Sequence, residues 1–203
     1  MRPLRRLLAT LTATLAVTAT GLALAQPAQA APIDLVFANT TGSTFIAKQK
    51  VTAAIPTSVV KTSIDLDAKT LTGTAEIPDL TVKLKLANLI PTTSIVRIVP
   101  QGGLTGTVDL AANKLTTTTT FKLQVLRVFQ DSLPSINLVS SGCISKTATS
   151  ATLSNTTPID IFNTTTVSGT YKIPAFTRCG LLTPLLTTLL AGDGNTLTLN
   201  LKA

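Results

Sequence analysis

Thr81-Val82-Lys83-Leu84-Lys85-Leu86 alternates polar and apolar side chains without a break, and Phe121-Lys122-Leu123-Gln124-Val125 does the same. A two-residue period places the apolar side chains of a β-strand on one face and the polar ones on the other. The lysines are therefore expected to face solvent while the valines and leucines are buried. No long stretch has the period of an amphipathic helix, so the chain is predicted to consist of half-buried strands.

Threonine reinforces this interpretation, because it occupies 34 of the 173 residues from 31 to 203. A β-branched hydroxyl side chain suits the half-exposed face of a pleated sheet. With Gly, Pro and Asn as turn signals, the segments give roughly eight to ten short strands. They predict an all-β protein, an antiparallel β-sandwich or barrel, and exclude a parallel α/β sheet because crossover helices are missing.

One segment, about residues 183–191, is predicted to be a short helix. Thr183 suits the N-cap, Pro184 the first helical position, and Gly192 a left-handed C-terminus. A helix of two turns forms only if its apolar side is packed. It is expected to be a plug over an open end of the sheet system or a lid on an apolar cavity. The candidate lid residues are Leu185, Leu186, Leu189 and Leu190.

An internal repeat is formed by three segments that begin at Ile64, Val108 and Ile159. Each has an apolar residue, an aspartate, another apolar residue, a polar turn and a Thr-rich return strand, which is typical of a β-hairpin. The shared aspartates, Asp65, Asp109 and Asp160, suggest either a metal or catalytic site or three turn caps. We interpret them as acceptors of backbone N–H groups in turns that need not lie close together.

Residues 1–30 have the features of a secretory signal peptide. Arg2, Arg5 and Arg6 precede an apolar run from Leu7 to Leu24, and cleavage is predicted after Ala30. A retained membrane anchor is the less favoured alternative. The mature chain, residues 31–203, is predicted to be a single β-rich domain without a transmembrane segment, secreted to the extracellular space or the cell wall.

The chain has two cysteines, Cys143 and Cys179. Export would deliver them to an oxidising compartment, so a disulfide bond between them is predicted. The alternative is a reactive thiol, but the sequence contains no histidine to form a thiolate pair.

Charge and composition argue against several classes of function. Loss of the three arginines of the signal peptide lowers the formal net charge from +8 to +5, and Lys83, Lys85, Lys122 and Arg127 are scattered, so no nucleic-acid partner is predicted. Without histidine, the usual general base and the commonest metal ligand are missing. No cofactor, metal or catalytic residue is predicted, and the protein is not expected to be an enzyme.

The second half of the chain resembles a group of exported, β-rich actinobacterial proteins that have no assigned activity. The resemblance implies export and a Cys143–Cys179 pair, and it supplies no catalytic residue. It covers roughly residues 95 to 200 and rests on Gly106–Leu110, Leu133–Val139, Ser168–Phe176, Cys179-Gly180, Leu182–Leu186 and Gly192–Thr196.

Two functions remain open from the sequence. The leading hypothesis is a non-catalytic extracellular or cell-envelope protein that acts as a structural or binding module. The alternative is a carrier of an apolar ligand, such as a lipid, in a cavity of the β domain. The partner is not identified by the sequence; a cell-wall component, a protein or a lipid would fit.

Overall fold

The computed structural model describes residues 31–86, 89–160 and 162–203. The predicted signal peptide and its cleavage site at Ala30 lie outside the described residues. The described chain contains the strands β1 (Ile33–Ile46), β2 (Val51–Asp65), β3 (Thr70–Glu76), β4 (Leu80–Leu86), β5 (Ile90–Pro100), β6 (Leu104–Asp109), β7 (Lys114–Gln130), β8 (Ile144–Ser145), β9 (Thr149–Asn155), β10 (Thr164–Ile173), β11 (Phe176–Thr177) and β12 (Gly192–Lys202), with the helix α1 (Thr183–Leu190) before β12.

Eight of these strands close into an antiparallel barrel. Their order is β7, β6, β3, β2, β1, β12, β10 and β9. The barrel closes because β9 pairs back with β7, from Thr116 opposite Ser154 to Phe121 opposite Thr149. The predicted all-β fold with one short helix near the C-terminus is confirmed, and of the two predicted architectures the structure has the barrel.

Strand β7 is much longer than the short strands that the sequence predicts, with 17 residues. Its first part pairs with β6 and β9 in the barrel wall. Its second part pairs with β5, which in turn pairs with β4, so these strands extend the wall at one end. The strand stays continuous because its buried positions alternate through Leu115, Phe121, Leu123 and Val125.

The barrel has two distinct ends. We call the end with the β2–β3, β6–β7 and β9–β10 connections the turn end, and the opposite end, which carries α1, the helix end. Two strand glycines allow the close approach of neighbouring strands between these ends. A Cβ atom at Gly106 of β6 would collide with the carbonyl oxygen of Thr116, and one at Gly169 of β10 with that of Thr152.

The alternation that predicts the strands is confirmed by burial. Along β4, Leu80, Val82, Leu84 and Leu86 are buried while the residues between them are exposed. Leu80, Val82 and Leu84 belong to one core that lies inside the barrel and under its extension. The hydrophobic gain from burying one face therefore holds the sheet in its curved form.

The helix has the predicted position but different ends. The prediction that Thr183 is the N-cap is wrong, because Thr183 is the first helical residue and Leu182 occupies the N-cap position. The Thr183 hydroxyl instead stabilises the preceding 3₁₀ turn: it accepts a hydrogen bond from Cys179 N at 3.0 Å and donates one to Gly180 O at 2.9 Å. The prediction that Gly192 ends the helix in a left-handed conformation is also wrong. Ala191 is already extended after α1, and Gly192 begins β12. Among the described glycines, those with positive φ are Gly102, Gly180 and Gly194.

The predicted disulfide is present between Cys143 and Cys179, and both residues are fully buried. It connects the segment before β8 to the segment before α1, across 36 residues of sequence. β8 and β11 pair beside it through two residues each. The cross-link therefore fixes the irregular segments that hold α1 on the helix end.

Replacing both cysteines by alanine (Cys143→Ala with Cys179→Ala) is expected to lower the free energy of unfolding by about 4 kcal/mol, because the cross-link restricts the unfolded chain. Urea unfolding measures this difference. Reduction should bring the wild type to the level of the double variant and leave the variant unchanged. Equal unfolding midpoints for the reduced and oxidised wild type would contradict the prediction.

Candidate functional site

The barrel interior contains three apolar cavities that follow one another from the turn end to the helix end. Their volumes are about 90 Å³ at the turn end, about 160 Å³ in the middle and about 60 Å³ at the helix end. Their walls consist almost entirely of Val, Leu, Ile, Phe and Thr side chains. The interior of the barrel is therefore only partly filled.

Adjacent cavities have wall residues in common. The turn-end and middle cavities share Val60, Leu104 and Thr117 in their walls. The middle and helix-end cavities share Ile98, Phe121 and Leu197. The shared residues place the three cavities next to one another along the barrel axis.

The three repeated hairpins come together at the turn end, which the sequence could not establish. The first and second are joined by an ion pair between Lys69 Nζ and Asp109 Oδ2 at 2.7 Å and by a hydrogen bond from Val108 N to Lys69 O. The second and third are joined by a hydrogen bond from Ile159 N to Asn113 Oδ1 at 2.8 Å. The repeat therefore surrounds one mouth of the barrel.

The aspartates of the repeat cap their turns, as interpreted from the sequence. Asp65 Oδ1 accepts from Ala68 N at 2.8 Å, and Asp109 Oδ1 accepts from Ala112 N at 2.9 Å. Asp160 Oδ1 accepts two backbone N–H groups, those of residues 162 and 163. Within the described ranges, no three His, Cys, Asp or Glu side chains are grouped in a way that could hold a metal ion.

The apolar residues on either side of these aspartates have different environments. Those before the aspartate, Ile64, Val108 and Ile159, line the turn-end cavity. In the first two copies the residue after the aspartate also lines this cavity but is exposed, Leu66 at 41% and Leu110 at 55%. In the third copy Phe162, the second residue after Asp160, is 86% exposed and does not line the cavity. We call Leu66, Leu110 and Phe162 the apolar rim.

A gap in the barrel wall leads to the middle cavity. β3 pairs with β6 only as far as Gly73, and β5 pairs with β4 only on the N-terminal side of Arg97. The cavity wall includes Thr74, Pro100 and Gly102 at this gap, and all three are exposed. The middle cavity therefore reaches the surface between β3 and β5.

The helix end is covered by α1. Of the four candidate lid residues, Leu186 and Leu190 are buried, while Leu185 and Leu189 are partly buried. Only Leu190 lines the helix-end cavity. Lys48 Nζ and Gln49 Nε2 of the β1–β2 turn donate to carbonyl oxygens of α1 at 3.0 and 3.1 Å. These contacts and the nearby disulfide hold α1 over the helix end.

Most hydroxyl groups inside the barrel have partners. Tyr171 Oη and Thr44 Oγ1 form a hydrogen bond of 2.7 Å at the helix-end cavity, and burial raises the pKa of Tyr171. At the turn end, Thr165 Oγ1 donates to Asp160 O. Thr117 differs, because its Oγ1 atom is buried and has no hydrogen-bond partner among the described residues.

Thr117 is a residue that the sequence analysis missed. The signal that could have found it is its phase in the run Thr116–Thr120: positions 117 and 119 have the same parity as the buried Leu115 and Phe121. Their side chains consequently face inward, and Thr117 and Thr119 both line the middle cavity.

Carboxyl groups with lowered pKa values lie on the outer surface. Arg97 donates bidentate hydrogen bonds to the Asp79 carboxylate and lowers its pKa. Hydrogen bonds from Lys69 and Ala112 lower that of Asp109, and those from the Asn163 side chain and the turn N–H groups lower that of Asp160. None of the three lines a cavity, so their shifts follow from ion pairs and turn geometry.

Comparisons with protein-family models, with curated proteins and with solved structures found no significant match to this chain. In the part of the chain that the structure describes, no helix has the length and apolar character of a membrane span.

Replacing Asp160 by asparagine is expected to weaken the turn end above about pH 4, because the folded-state pKa of Asp160 lies below its unfolded value of about 3.9. The wild-type carboxylate stabilises the fold above that unfolded value and loses its effect as pH falls through the folded pKa. Urea midpoints of wild type and Asp160→Asn should therefore differ at pH 7 and converge toward pH 2. A difference independent of pH would contradict this prediction.

Proposed function

We propose that the protein is a non-catalytic carrier that binds an apolar ligand inside its barrel. The observation that supports this most directly is the row of three apolar cavities along the barrel axis. Apolar cavities of about 150 Å³ remain dry and accept apolar molecules. Of the two functions left open by the sequence, the geometry favours the carrier over a purely structural module.

The shape of the interior favours a slender ligand. The three cavities together amount to about 300 Å³, the lower limit of ordinary ligand pockets. They follow one another along the barrel axis as a narrow path that shared side chains interrupt. A linear aliphatic chain fits such a path, whereas a rigid fused-ring molecule would require the wall to open. The proposed ligand is therefore an acyl chain, which is the lipid class most compatible with these walls.

The turn end is the proposed route of uptake. Two residues of its apolar rim, Leu66 and Leu110, line the turn-end cavity while they are exposed, and Phe162 of the third turn is exposed as well. Together they would give an aliphatic chain a partly dehydrated path into the barrel. The gap between β3 and β5 is a poorer route, because its exposed wall residues are Thr74, Pro100 and Gly102. The helix end is covered.

Location and partners are part of the proposal. Export to the extracellular space or cell envelope is supported by the residue pattern of positions 1–30 and by the resemblance to exported actinobacterial proteins, and a buried disulfide is compatible with it.

The outer threonines favour a structural role over a binding face, since several pair across strands, such as Thr118 with Thr152 at 2.9 Å.

Filling the middle cavity is expected to weaken ligand binding. Ala75 lines that cavity, so Ala75→Leu should lower the affinity for octadecanoate at least tenfold and stabilise the delipidated protein by about 1–2 kcal/mol through added apolar burial. Displacement of a fluorescent fatty acid and urea unfolding measure the two effects.

The matched control is Ala54→Leu, which adds the same atoms on the exposed face of β2 and should leave the affinity unchanged. Native mass spectrometry of the purified wild type should show an added lipid mass after incubation with octadecanoate. A bare polypeptide mass under these conditions, or equal affinities for wild type and Ala75→Leu, would overturn the carrier proposal.

Polar substitution of the rim is expected to slow uptake. Leu110→Ser combined with Phe162→Ser should lower the association rate for octadecanoate severalfold, because the chain would then cross a hydrated mouth. Stopped-flow fluorescence measures the rate. Leu181→Ser is the control, since Leu181 is 96% exposed beside α1 at the opposite end. A slower rate in the control alone would place uptake at the helix end.

A further inference from the structure

Thr117 Oγ1 is an unused hydrogen-bonding group in the wall of the proposed ligand channel. The residue is only 6% exposed, and it lines both the turn-end and the middle cavity. A buried hydroxyl without a partner is unfavourable in a folded protein, and natural proteins contain few of them. Its position where two cavities meet suggests that it serves a ligand.

The neighbouring strands do not supply a partner for this hydroxyl. Opposite Thr117 stand Gly106 on β6, which has no side chain, and Leu153 on β9, which is apolar. The other hydroxyls of the turn-end cavity do have partners: Thr62 Oγ1 donates to Leu35 O and Thr165 Oγ1 to Asp160 O. Thr117 Oγ1 is thus singled out among the hydroxyls that line this cavity.

We propose that the ligand is an aliphatic chain that carries one oxygen function at mid-chain, a hydroxyl or keto group, and that Thr117 Oγ1 hydrogen-bonds this oxygen. The inference rests on the proposed carrier function and specifies its ligand class. The chain on both sides of the oxygen lies in apolar cavities, toward the mouth in one direction and toward Phe121 in the other. A hydroxyl of threonine can donate or accept, so both oxygen functions fit.

The test compares octadecanoate with its 10-hydroxy, 12-hydroxy and 2-hydroxy derivatives on wild type, Thr117→Val and Ser94→Ala. Valine has nearly the shape of threonine but lacks the hydroxyl. Ser94 is the matched control, because its buried Oγ also has no partner within the described residues, yet Ser94 does not line any of the three cavities. Displacement of a fluorescent fatty acid gives each dissociation constant.

In the wild type, a mid-chain hydroxyl should be tolerated or preferred relative to plain octadecanoate. In Thr117→Val, the affinity for the mid-chain hydroxylated ligand relative to that for plain octadecanoate should fall about tenfold, because one hydrogen bond between desolvated groups is lost. Affinity for plain octadecanoate should be kept, and Ser94→Ala should behave as wild type. The 2-hydroxy derivative, whose oxygen lies beside the carboxylate, should not respond to Thr117→Val.

Two negative results are distinguishable. If the wild type binds none of the four ligands, the carrier function itself fails. A second result is that the wild type binds these ligands but Thr117→Val changes the ratio of affinities for the mid-chain hydroxylated and the plain ligand no more than Ser94→Ala does. The carrier function is then supported, whereas the proposed mid-chain oxygen is wrong and water in the cavity is the partner of Thr117 Oγ1.

Discussion

The barrel depends on the pairing of both edges of β7. One edge is shared by β6 and β5, and the other pairs with β9, which completes the ring. The outer face of this seam carries hydroxyl pairs between the two strands, Thr118 with Thr152 and Thr120 with Ser150 at 2.9 and 2.8 Å. The inner face of the same strand is cavity wall, so one strand sets both the closure of the barrel and the chemistry of its interior.

The strand content and the burial pattern were predictable because they are local properties of the sequence. Alternation along β4 fixes which leucines are buried whatever the strand pairs with. The choice between sandwich and barrel was not predictable, since both architectures bury one face of each strand and leave the same two-residue period. It depends on the pairing of β7 with β9, two strands that are separated in sequence by residues 131–148, a mostly irregular segment that includes the two-residue strand β8.

The candidate site was predictable only where it follows from local chemistry. The turn-capping role of Asp109 follows from its place before a turn, whereas the meeting of three turns at one mouth depends on strand register. A plug or a lid was predicted from the apolar side of α1, and in the structure Leu190 is the only one of the four candidate lid residues that lines a cavity. Thr117 was hidden in a run of five threonines, because the phase of a uniform run is visible only from the residues that flank it.

The cavities themselves follow from composition. An eight-stranded barrel is just wide enough for ordinary side chains to fill its interior, but aromatic residues make up only 3% of this chain. Inward positions such as Ala75, Gly106 and Thr117 are small, so the middle of the barrel stays open. A cavity of about 160 Å³ leaves apolar wall atoms without packing partners, which is unfavourable unless something fills it. The scarcity of aromatic side chains thus creates the space that an apolar ligand would fill.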